Sequence, residues 1–302
     1  RGQSGAEMTI RFDGKTVLVT GAASGLGEAH ALGFAARGAT VLLNDIASAD
    51  TVRRAVEKAG GTAHDYPCDI TDADAVANMS STIETDHGTP DVLVNNAGIL
   101  RDRSFHKLSE GEWDAVLAVH LSAAARLTRA FWPNIRIRGT GRIIFTTSSS
   151  GLYGNFGQAN YGAAKMGLVG LMRTLMIEGA NADVKINAIA PVAWTPMTAG
   201  LFPPAAQQIM RADQVTPGVL FLASDAAPNG AILCAGGGAY STTHIVETPP
   251  TMLGADATAD DVAAHFSSFG DPRNARPVAN GPLQTAQFFD AVLKGADQSV
   301  SR

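Results

Sequence analysis

A tyrosine and a lysine four residues apart form a pair that could transfer a proton. Tyr161 and Lys165 belong to the segment YGAAK, which we predict to be helical, so both side chains lie on one helix face. A phenol normally has a pKa of about 10, and an ammonium group within about 4–6 Å lowers that pKa. We therefore expect Tyr161 to act as an acid/base and Lys165 to lower the pKa of its phenol.

A glycine-rich turn near the start of the chain could hold a phosphate group. The apolar run Lys15–Thr20 leads directly into the sequence GAASGLG, and a helix is predicted from Glu28 to Ala36. Glycines at such a turn let the backbone approach a pyrophosphate, whose charge the N–H groups at the helix start stabilise. The same turn could also simply join a strand to a helix. The predicted contacts are Gly21, Ser24, Gly25, Leu26 and Gly27.

An acidic residue follows at the spacing typical of a ribose contact in dinucleotide-binding proteins. Asp45 comes directly after the apolar run Ala39–Asn44, about twenty residues beyond the turn. A carboxylate there accepts hydrogen bonds from the ribose and repels the 2′-phosphate of NADP, so it favours NAD. The alternative is that Asp45 caps a helix that begins near Ser48.

The elements that position these residues alternate between strand and helix. Six short apolar runs have the length of strands, and helix-length segments lie between most of them. Continuous hydrophobicity is expected of strands covered on both faces, and the intervening helices imply right-handed crossovers in a parallel sheet. We predict a doubly wound α/β fold, a three-layer α/β/α sandwich. The runs are Lys15–Thr20, Ala39–Asn44, Thr62–Tyr66, Val92–Asn95, Arg142–Thr147 and Val184–Ile189.

These motifs, together with Asn95-Asn96-Ala97-Gly98 after the fourth run and three serines after the fifth, resemble the short-chain dehydrogenase/reductase family. The resemblance implies a Rossmann-type fold and an NAD-dependent oxidoreductase that acts on CH–OH groups. It implies that Ser148 holds the substrate oxygen, with Ser149 and Ser150 as rivals for that role. It also implies that Lys165 binds the nicotinamide ribose.

The same resemblance extends the list of expected cofactor contacts. It places Asp69 beside the adenine, although Asp69 could instead cap the helix that follows Thr71. The other contacts that it implies are Ile70, Asn95, Ala97, Gly98, Tyr161, Pro191 and Thr195.

A histidine stands where the family usually has an asparagine that supports a water relay. His120 lies in the helix that begins near Ser109, where Ser109 and Glu112 form a predicted capping box. It falls four residues after Val116, on the face expected to be buried. His120 is therefore either a member of a proton relay or a core histidine.

Three segments, NNAGILRDRSF, VLAVHL and YGNFGQANY, resemble one subgroup of the family, the (3R)-hydroxyacyl-CoA dehydrogenase units of multifunctional β-oxidation enzymes of type 2. The resemblance implies oxidation of a (3R)-3-hydroxyacyl-CoA to the 3-oxoacyl-CoA. Arg101, Arg103 and Lys107 are candidates for the CoA phosphates, or are an exposed cluster without a ligand. Residues 193–210 are predicted to form a mobile lid. Its apolar members are suited to an acyl chain or could equally be ordinary packing; they are Trp194, Met197, Leu201, Phe202 and Ile209.

Two rival interpretations stay open at this point. The first keeps the chemistry and changes the substrate to a steroid, a sugar or a 3-oxoacyl group on a carrier protein. The second is a nucleotide-binding interaction protein that has the fold without turnover.

Composition narrows the classes of partner. The chain has 302 residues, and its 23 basic and 28 acidic side chains give a formal net charge of −5 without a basic block, which disfavours nucleic acid and anionic membranes. No apolar run has the length of a membrane span. Cys68 and Cys234 match no zinc or redox spacing, so we expect free thiols, no metal and a reducing, cytoplasmic location.

We expect three regions along the chain. Residues 1–7 are small and polar, precede Met8 and are interpreted as an expression remnant. Residues 8–245 are the predicted dehydrogenase domain. Residues 246–302 are a C-terminal extension that is partly helical, with a last helix from about Pro282 to Leu293. The family resemblance implies a homodimer or homotetramer.

Overall fold

The computed structural model describes residues 9–200, 203 and 205–300, and it divides into two compact units that meet at Thr242/Thr243. The expectation for residues 1–7, and the lid members Leu201 and Phe202, lie outside the described residues. The boundary between the units lies close to the predicted boundary at 245/246. That the two units are separate domains stays a prediction.

The first unit is built on an eight-stranded sheet in the order β3-β2-β1-β4-β5-β6-β7-β8. Every neighbouring pair from β3 to β7 is parallel, as the alternation of strands and helices predicts. The strand order reverses between β1 and β4. The strands are β1 (Thr16–Thr20), β2 (Thr40–Asn44), β3 (Thr62–Asp65), β4 (Val92–Asn95), β5 (Thr140–Thr146), β6 (Asp183–Pro191), β7 (Ile232–Gly236) and β8 (Ala239–Thr243).

Helices connect these strands and cover both faces of the sheet. Ser109 caps the fourth helix in a capping box with Glu112, as predicted. A π-helical turn, Ala118–Ser122, separates that helix from the next one. The helices are α1 (Gly25–Ala35), α2 (Asp50–Lys58), α3 (Ala73–His87), α4 (Glu110–Leu117), α5 (Ala123–Arg138), α6 (Ser149–Tyr153), α7 (Ala159–Glu178), α8 (Ala206–Ile209) and α9 (Thr216–Ala223).

The core consists of two apolar layers, one on each side of the sheet. Along β1, Val17 and Val19 pack with Phe34 of α1, whereas Leu18 packs in the opposite layer with Phe131 of α5. All five side chains are fully buried. The inner positions of β1 are thus apolar on both faces because both faces are covered, which confirms the predicted doubly wound, three-layer fold.

The second unit contains a short antiparallel pair and two helices. The strands β9 (Val246–Glu247) and β10 (Arg276–Pro277) pair with each other, and the helices are α10 (Ala259–Phe269) and α11 (Gly281–Val300). The predicted last helix therefore exists and extends further at its C-terminal end. In the described part of the chain, no helix is both long and apolar enough to span a bilayer.

Candidate active site

A cleft of about 740 Å³ opens at the carboxyl ends of the central strands. It lies at the position between β1 and β4 where the strand order reverses. Ligands of doubly wound folds bind at such a point, because the loops after neighbouring strands separate there. The cleft is lined by most of the residues that the sequence singled out. These are Gly21, Ser24, Gly25, Leu26, Asp45, Asp69, Ile70, Ala97, Gly98, His120, Ser148, Tyr161, Lys165, Pro191 and Thr195.

Two predicted contacts, Gly27 and Asn95, shape the cleft but do not line it. A Cβ atom on Gly27 would lie 2.0 Å from the carbonyl oxygen of Gly21, so only glycine allows this turn to close. The amide of Asn95 points into the protein and donates to Thr128 Oγ1 at 3.2 Å. The neighbouring Asn96 lines the cleft instead and donates from Nδ2 to the carbonyl of Thr20 at 2.9 Å.

The glycine turn has the geometry of an anion-binding loop. Gly21 and Gly25 have φ angles of 67° and 60°, which a residue with a side chain rarely adopts. Ser24 is the N-cap of α1, but its side chain makes no capping hydrogen bond. The N–H groups at the start of α1 therefore have no side-chain acceptor and lie in the wall of the cleft, where a pyrophosphate fits.

Asp45 lies beside this turn at the end of β2. Its carboxylate accepts hydrogen bonds from the backbone N–H groups of Ala23 at 3.0 Å and Ile46 at 2.8 Å. It does not cap α2, whose N-cap is Ala49; the acid near that helix start is Asp65, which accepts from Ala49 N. The alternative role that the sequence left open for Asp45 is therefore wrong.

Asp69 also lines the cleft without capping the following helix. Its carboxylate accepts from the backbone and the hydroxyl of Thr71 at 2.8 and 2.7 Å. The N-cap of α3 is Asp72, whose side chain accepts from the N–H groups of Asp74 and Ala75. Asp69 thus stabilises a turn at the edge of the cleft, and its place beside an adenine stays a prediction.

The three serines after β5 differ in their surroundings. Ser148 is half-buried in the cleft, where it hydrogen-bonds Tyr161 and accepts from the N–H of Ser150 at 3.2 Å. Ser150 is buried and donates its hydroxyl to Gln158 Oε1 at 2.7 Å, and Ser149 is exposed. Among the three, Ser148 is the one bonded to the phenol, which favours it for holding a substrate oxygen.

Lys165 is buried one turn beyond Tyr161 on α7. Its Nζ donates to the carbonyl of Thr146 at 2.5 Å and lies 5.5 Å from the centre of the Tyr161 ring. Burial lowers the pKa of the ammonium to about 7, because the charged form loses its hydration. Lys165 therefore loses its proton more easily than a free lysine does.

The phenol of Tyr161 departs from the sequence expectation. Burial raises the pKa of Tyr161, a hydrogen bond from Ser148 lowers it, and the negative charge of Asp102 raises it. The expected lowering by Lys165 is not found in this structure. The physical reason is that both side chains lose hydration on burial, and this desolvation disfavours the charged form of each.

His120 lies in the π-helical turn and is buried. Its Nε2 is 2.7 Å from the carbonyl oxygen and 3.0 Å from the amide nitrogen of Ile99, so it can donate to the first or accept from the second. Its ring meets the Tyr161 ring edge-on, with the centroids 5.0 Å apart. Burial and the positive charge of Lys165 lower the pKa of His120 to about 3, so the ring is neutral near pH 7.

His120 is therefore not fully satisfied as a core histidine. Its Nδ1 is buried and has no hydrogen-bond partner among the described residues. The ring lines the cleft and contacts the acid/base candidate, but its low pKa disfavours a relay that passes through the charged imidazolium. Its part in a proton relay stays a prediction.

The structure adds cleft residues that the sequence reading did not single out. Asn96, Thr146 and Thr147 follow or end central strands, so the rule that ligands bind at the carboxyl ends of strands could have found them. Asn155 and Gln158 precede α7, the helix that carries Tyr161 and Lys165, and no local motif marks them as cleft residues. Elsewhere in the described ranges, no group of three or more His, Cys, Asp or Glu side chains could hold a metal ion.

The segment after β6 forms the opposite wall of the cleft. Thr195 is buried and donates its N–H to Thr198 Oγ1 at 2.8 Å, while Met197 is partly exposed in the lining. Trp194 N donates to the carbonyl of Met210 at 2.6 Å, which closes the base of the segment. The predicted lid therefore borders the cleft, and its movement stays a prediction.

Comparisons with known proteins agree with this geometry. The sequence model of the family described as short chain dehydrogenase matches residues 15–205. The chain is 39% identical over 283 residues to peroxisomal multifunctional enzyme A of Dictyostelium discoideum, across 88% of this chain and 63% of that protein. It is also 39% identical over 281 residues to a hydroxyacyl-CoA dehydrogenase of Mycobacterium tuberculosis, across 84% of this chain and 86% of that protein.

A solved structure shares the fold and most of the chain. Full-length peroxisomal multifunctional enzyme type 2 from Drosophila melanogaster matches with a TM-score of 0.79 at 36% identity, over 94% of this chain and 50% of that one. The chain thus spans half of the Drosophila chain and less than two thirds of the Dictyostelium enzyme. These longer proteins have parts that this sequence does not contain.

Two further matches show the breadth of the family. The 3-oxoacyl-(acyl-carrier-protein) reductase of Thermotoga maritima is 37% identical over 228 residues, across 72% of this chain and 93% of that protein. A structure described as an NAD(P)-dependent gluconate 5-dehydrogenase from Beutenbergia cavernae, solved with NADP at low occupancy, matches with a TM-score of 0.71 at 34% identity, over 76% of this chain and 98% of that one. The chain therefore belongs to the short chain dehydrogenase family and is an NAD(P)-dependent oxidoreductase.

Proposed function

We propose that the protein oxidises a (3R)-3-hydroxyacyl-CoA, or a similar secondary alcohol, to the 3-oxo product with NAD. The observation that carries this proposal is that Ser148, Tyr161 and Lys165 share one cleft with the glycine turn and Asp45. A phenol, a hydroxyl and an ammonium at the wall of a dinucleotide cleft are suited to remove a proton from an alcohol.

The residues of the cleft have different roles in the proposed reaction. NAD, when bound, supplies the acceptor for the hydride that leaves the alcohol carbon. Tyr161 accepts the hydroxyl proton after it has ionised, and Ser148, already bonded to the phenol, orients the substrate oxygen. Lys165 donates to the Thr146 carbonyl and stays beside the phenol. Holding the reacting groups in contact contributes roughly 7–11 kcal/mol in favourable cases.

Asp45 supports NAD as the cofactor. Its carboxylate lies at the end of β2, tied to the N–H of Ala23 in the glycine turn. A ribose hydroxyl can donate to this carboxylate, whereas a 2′-phosphate would meet like charge at short range. The glycine turn itself contains no Lys or Arg that would offset the repulsion.

The substrate class is supported by the hydroxyacyl-CoA dehydrogenase of Mycobacterium tuberculosis, which the chain matches over most of both lengths. For the CoA phosphates, Arg101 and Lys107 are the better candidates. Arg103 already pairs with Glu112 at 2.6 Å, so binding a phosphate would cost this ion pair. Reduction of a 3-oxoacyl group on a carrier protein is the second candidate, because the Thermotoga reductase matches 72% of this chain.

A substrate panel tests the proposal. Purified protein is mixed with (3R)-3-hydroxybutyryl-CoA or its (3S) enantiomer and with NAD or NADP, and the absorbance of the reduced cofactor is followed. We expect turnover with the (3R) substrate and NAD, and little with the (3S) control. Preferred reduction of a 3-oxoacyl carrier protein with NADPH would favour the second candidate. Activity on steroids or sugars alone would overturn the substrate class, and cofactor binding without turnover would favour an interaction protein.

Three expectations from the sequence remain part of the proposal. The cytoplasmic location rests on Cys68 and Cys234, neither of which forms a disulfide in the structure. The homodimer or homotetramer rests on the family resemblance. The treatment of residues 246–302 as a C-terminal extension to the dehydrogenase domain of residues 8–245 rests on the change in sequence pattern.

A further inference from the structure

We propose that Gln158 and Asp102 are positioning residues for Tyr161. Together they hold the start of the catalytic helix α7 against the loop that follows β4, and Gln158 fixes the position of the Asp102 carboxylate. This inference rests on the proposed acid/base role of Tyr161.

Gln158 is buried and all of its polar atoms are engaged. Its Nε2 donates to Asp102 Oδ2 at 2.7 Å, and its Oε1 accepts from Ser150 Oγ at 2.7 Å and from Asn155 Nδ2 at 3.1 Å. Its backbone carbonyl accepts from Gly162 N at 2.7 Å, so the same residue begins α7 three positions before Tyr161. A buried amide with these partners has one favourable position.

Two neighbouring contacts join the same two segments. Arg103 N donates to the carbonyl of Gly157 at 2.8 Å, and the two segments form a short parallel bridge there. Asn160 Nδ2 donates to the carbonyl of Arg101 at 3.2 Å, while Asn160 Oδ1 accepts from the N–H of Tyr161. The loop after β4 is thus attached to the catalytic helix both before and after Gln158.

The groups that surround Tyr161 explain why the charge of Asp102 matters. Lys165 lies beside the ring on α7, His120 meets the ring from the π-helical turn, and Ser148 hydrogen-bonds the hydroxyl from the start of α6. Asp102 is exposed, but its carboxylate is bonded to the buried Gln158 amide, and its negative charge raises the pKa of the phenol after the larger effects of burial and the Ser148 hydrogen bond. Because Gln158 binds the Asp102 side chain, it determines where that charge lies.

A titration of the phenol tests the inference without any substrate. The ultraviolet difference between the enzyme and its Tyr161→Phe variant follows one phenol, since the other three tyrosines cancel. Asp102→Asn removes the charge but keeps an oxygen that accepts from Gln158, so we expect the titration midpoint to move to lower pH. Asp114→Asn is the matched control, because Asp114 is an exposed acid on α4 outside this network, and its midpoint should equal that of the parent.

Gln158→Ala tests the link between the two residues. We expect kcat for alcohol oxidation to fall roughly tenfold, the effect of losing about one hydrogen bond to a charged group, with KM little changed. In the Gln158→Ala background, Asp102→Asn should no longer move the midpoint, because the carboxylate is no longer held near the phenol.

An unchanged midpoint in Asp102→Asn would overturn the inference, as would an equal change in Asp114→Asn. If Gln158→Ala does not fold, the single Asp102→Asn titration still decides. Failure of the proposed substrate is distinguishable, because an enzyme that oxidises no hydroxyacyl-CoA can still show the expected titration.

Discussion

Tyr161 carries the proposed chemistry, and its ionisation sets the pH dependence. Because burial raises the pKa of the phenol, we expect kcat/KM for oxidation to increase with pH until the phenol is ionised. Tyr161→Phe should lower kcat by about 10²–10⁴-fold because the proton acceptor is lost, and it should change NAD affinity far less because the ring that lines the cleft remains. Steady-state kinetics and quenching of protein fluorescence by NAD measure the two effects. Tyr153→Phe, at an exposed position on α6, is the control and should behave like the parent.

Asp45 is the residue that we propose to set the cofactor preference. Asp45→Ser removes the ribose acceptor, so we expect NAD to bind roughly tenfold or more weakly, in line with the loss of a hydrogen bond to a charged group. The ratio of kcat/KM for NADP to that for NAD should increase, because the like charge is gone. The ratio is the decisive readout, since loss of the contact to Ala23 N weakens both cofactors alike. Asp50→Ser, on α2, should leave the ratio unchanged.

At the level of elements, the π-helical turn places His120 against the loop that follows β4. A Cβ atom on Gly98 would lie 2.3 Å from His120 Cε1, so Gly98→Ala should displace this loop and lower kcat/KM. The smaller side chain in Gly98→Ala/His120→Asn leaves room for the methyl group and should recover part of the activity. Gly111→Ala on α4 is the control, because nothing lies within 4 Å of its added Cβ. A double variant no better than Gly98→Ala would contradict the steric explanation.

For the whole molecule, buried histidines should make the fold sensitive to acid. Burial lowers the pKa of both His30 and His120 from 6.5 to about 3, so the unfolded chain binds more protons than the folded one between these values. The contribution of these two histidines to the free energy of unfolding is therefore fully present above pH 6.5 and is lost as the pH falls toward 3. For each histidine, lowering the pH from 6.5 to 5 should reduce the free energy of unfolding by about 2 kcal/mol.

Urea unfolding at pH 7.5 and pH 5 measures this loss. His30 lies in α1, where its Nδ1 contacts Thr216 Oγ1 at 2.9 Å, and it is outside the cleft. His30→Met should therefore show a smaller loss of stability between the two pH values than the parent. An equal loss in parent and variant would show that other groups cause the acid sensitivity.

Local features of the sequence determined six of the eight strands of the main sheet, the glycine turn and the Tyr161/Lys165 pair, whereas β7 and β8 were not predicted. Short apolar runs without alternation are typical of central strands covered on both faces. The observed bounds of β4 equal the predicted ones. The spacing of Tyr161 and Lys165 places them together because a helix repeats every 3.6 residues. The pattern also predicted the start of α4, because a capping box is a contact between residues three apart.

Only the tertiary structure decided what depends on distant parts of the chain. Asn96, rather than Asn95, faces the cleft because alternate residues of a strand end point to opposite sides. The pKa values of Tyr161 and Lys165 follow from burial among several elements, which spacing along one helix does not reveal. The contact of Gln158 with Asp102 joins residues 56 positions apart, and such a contact exists only after the sheet has brought the two loops together.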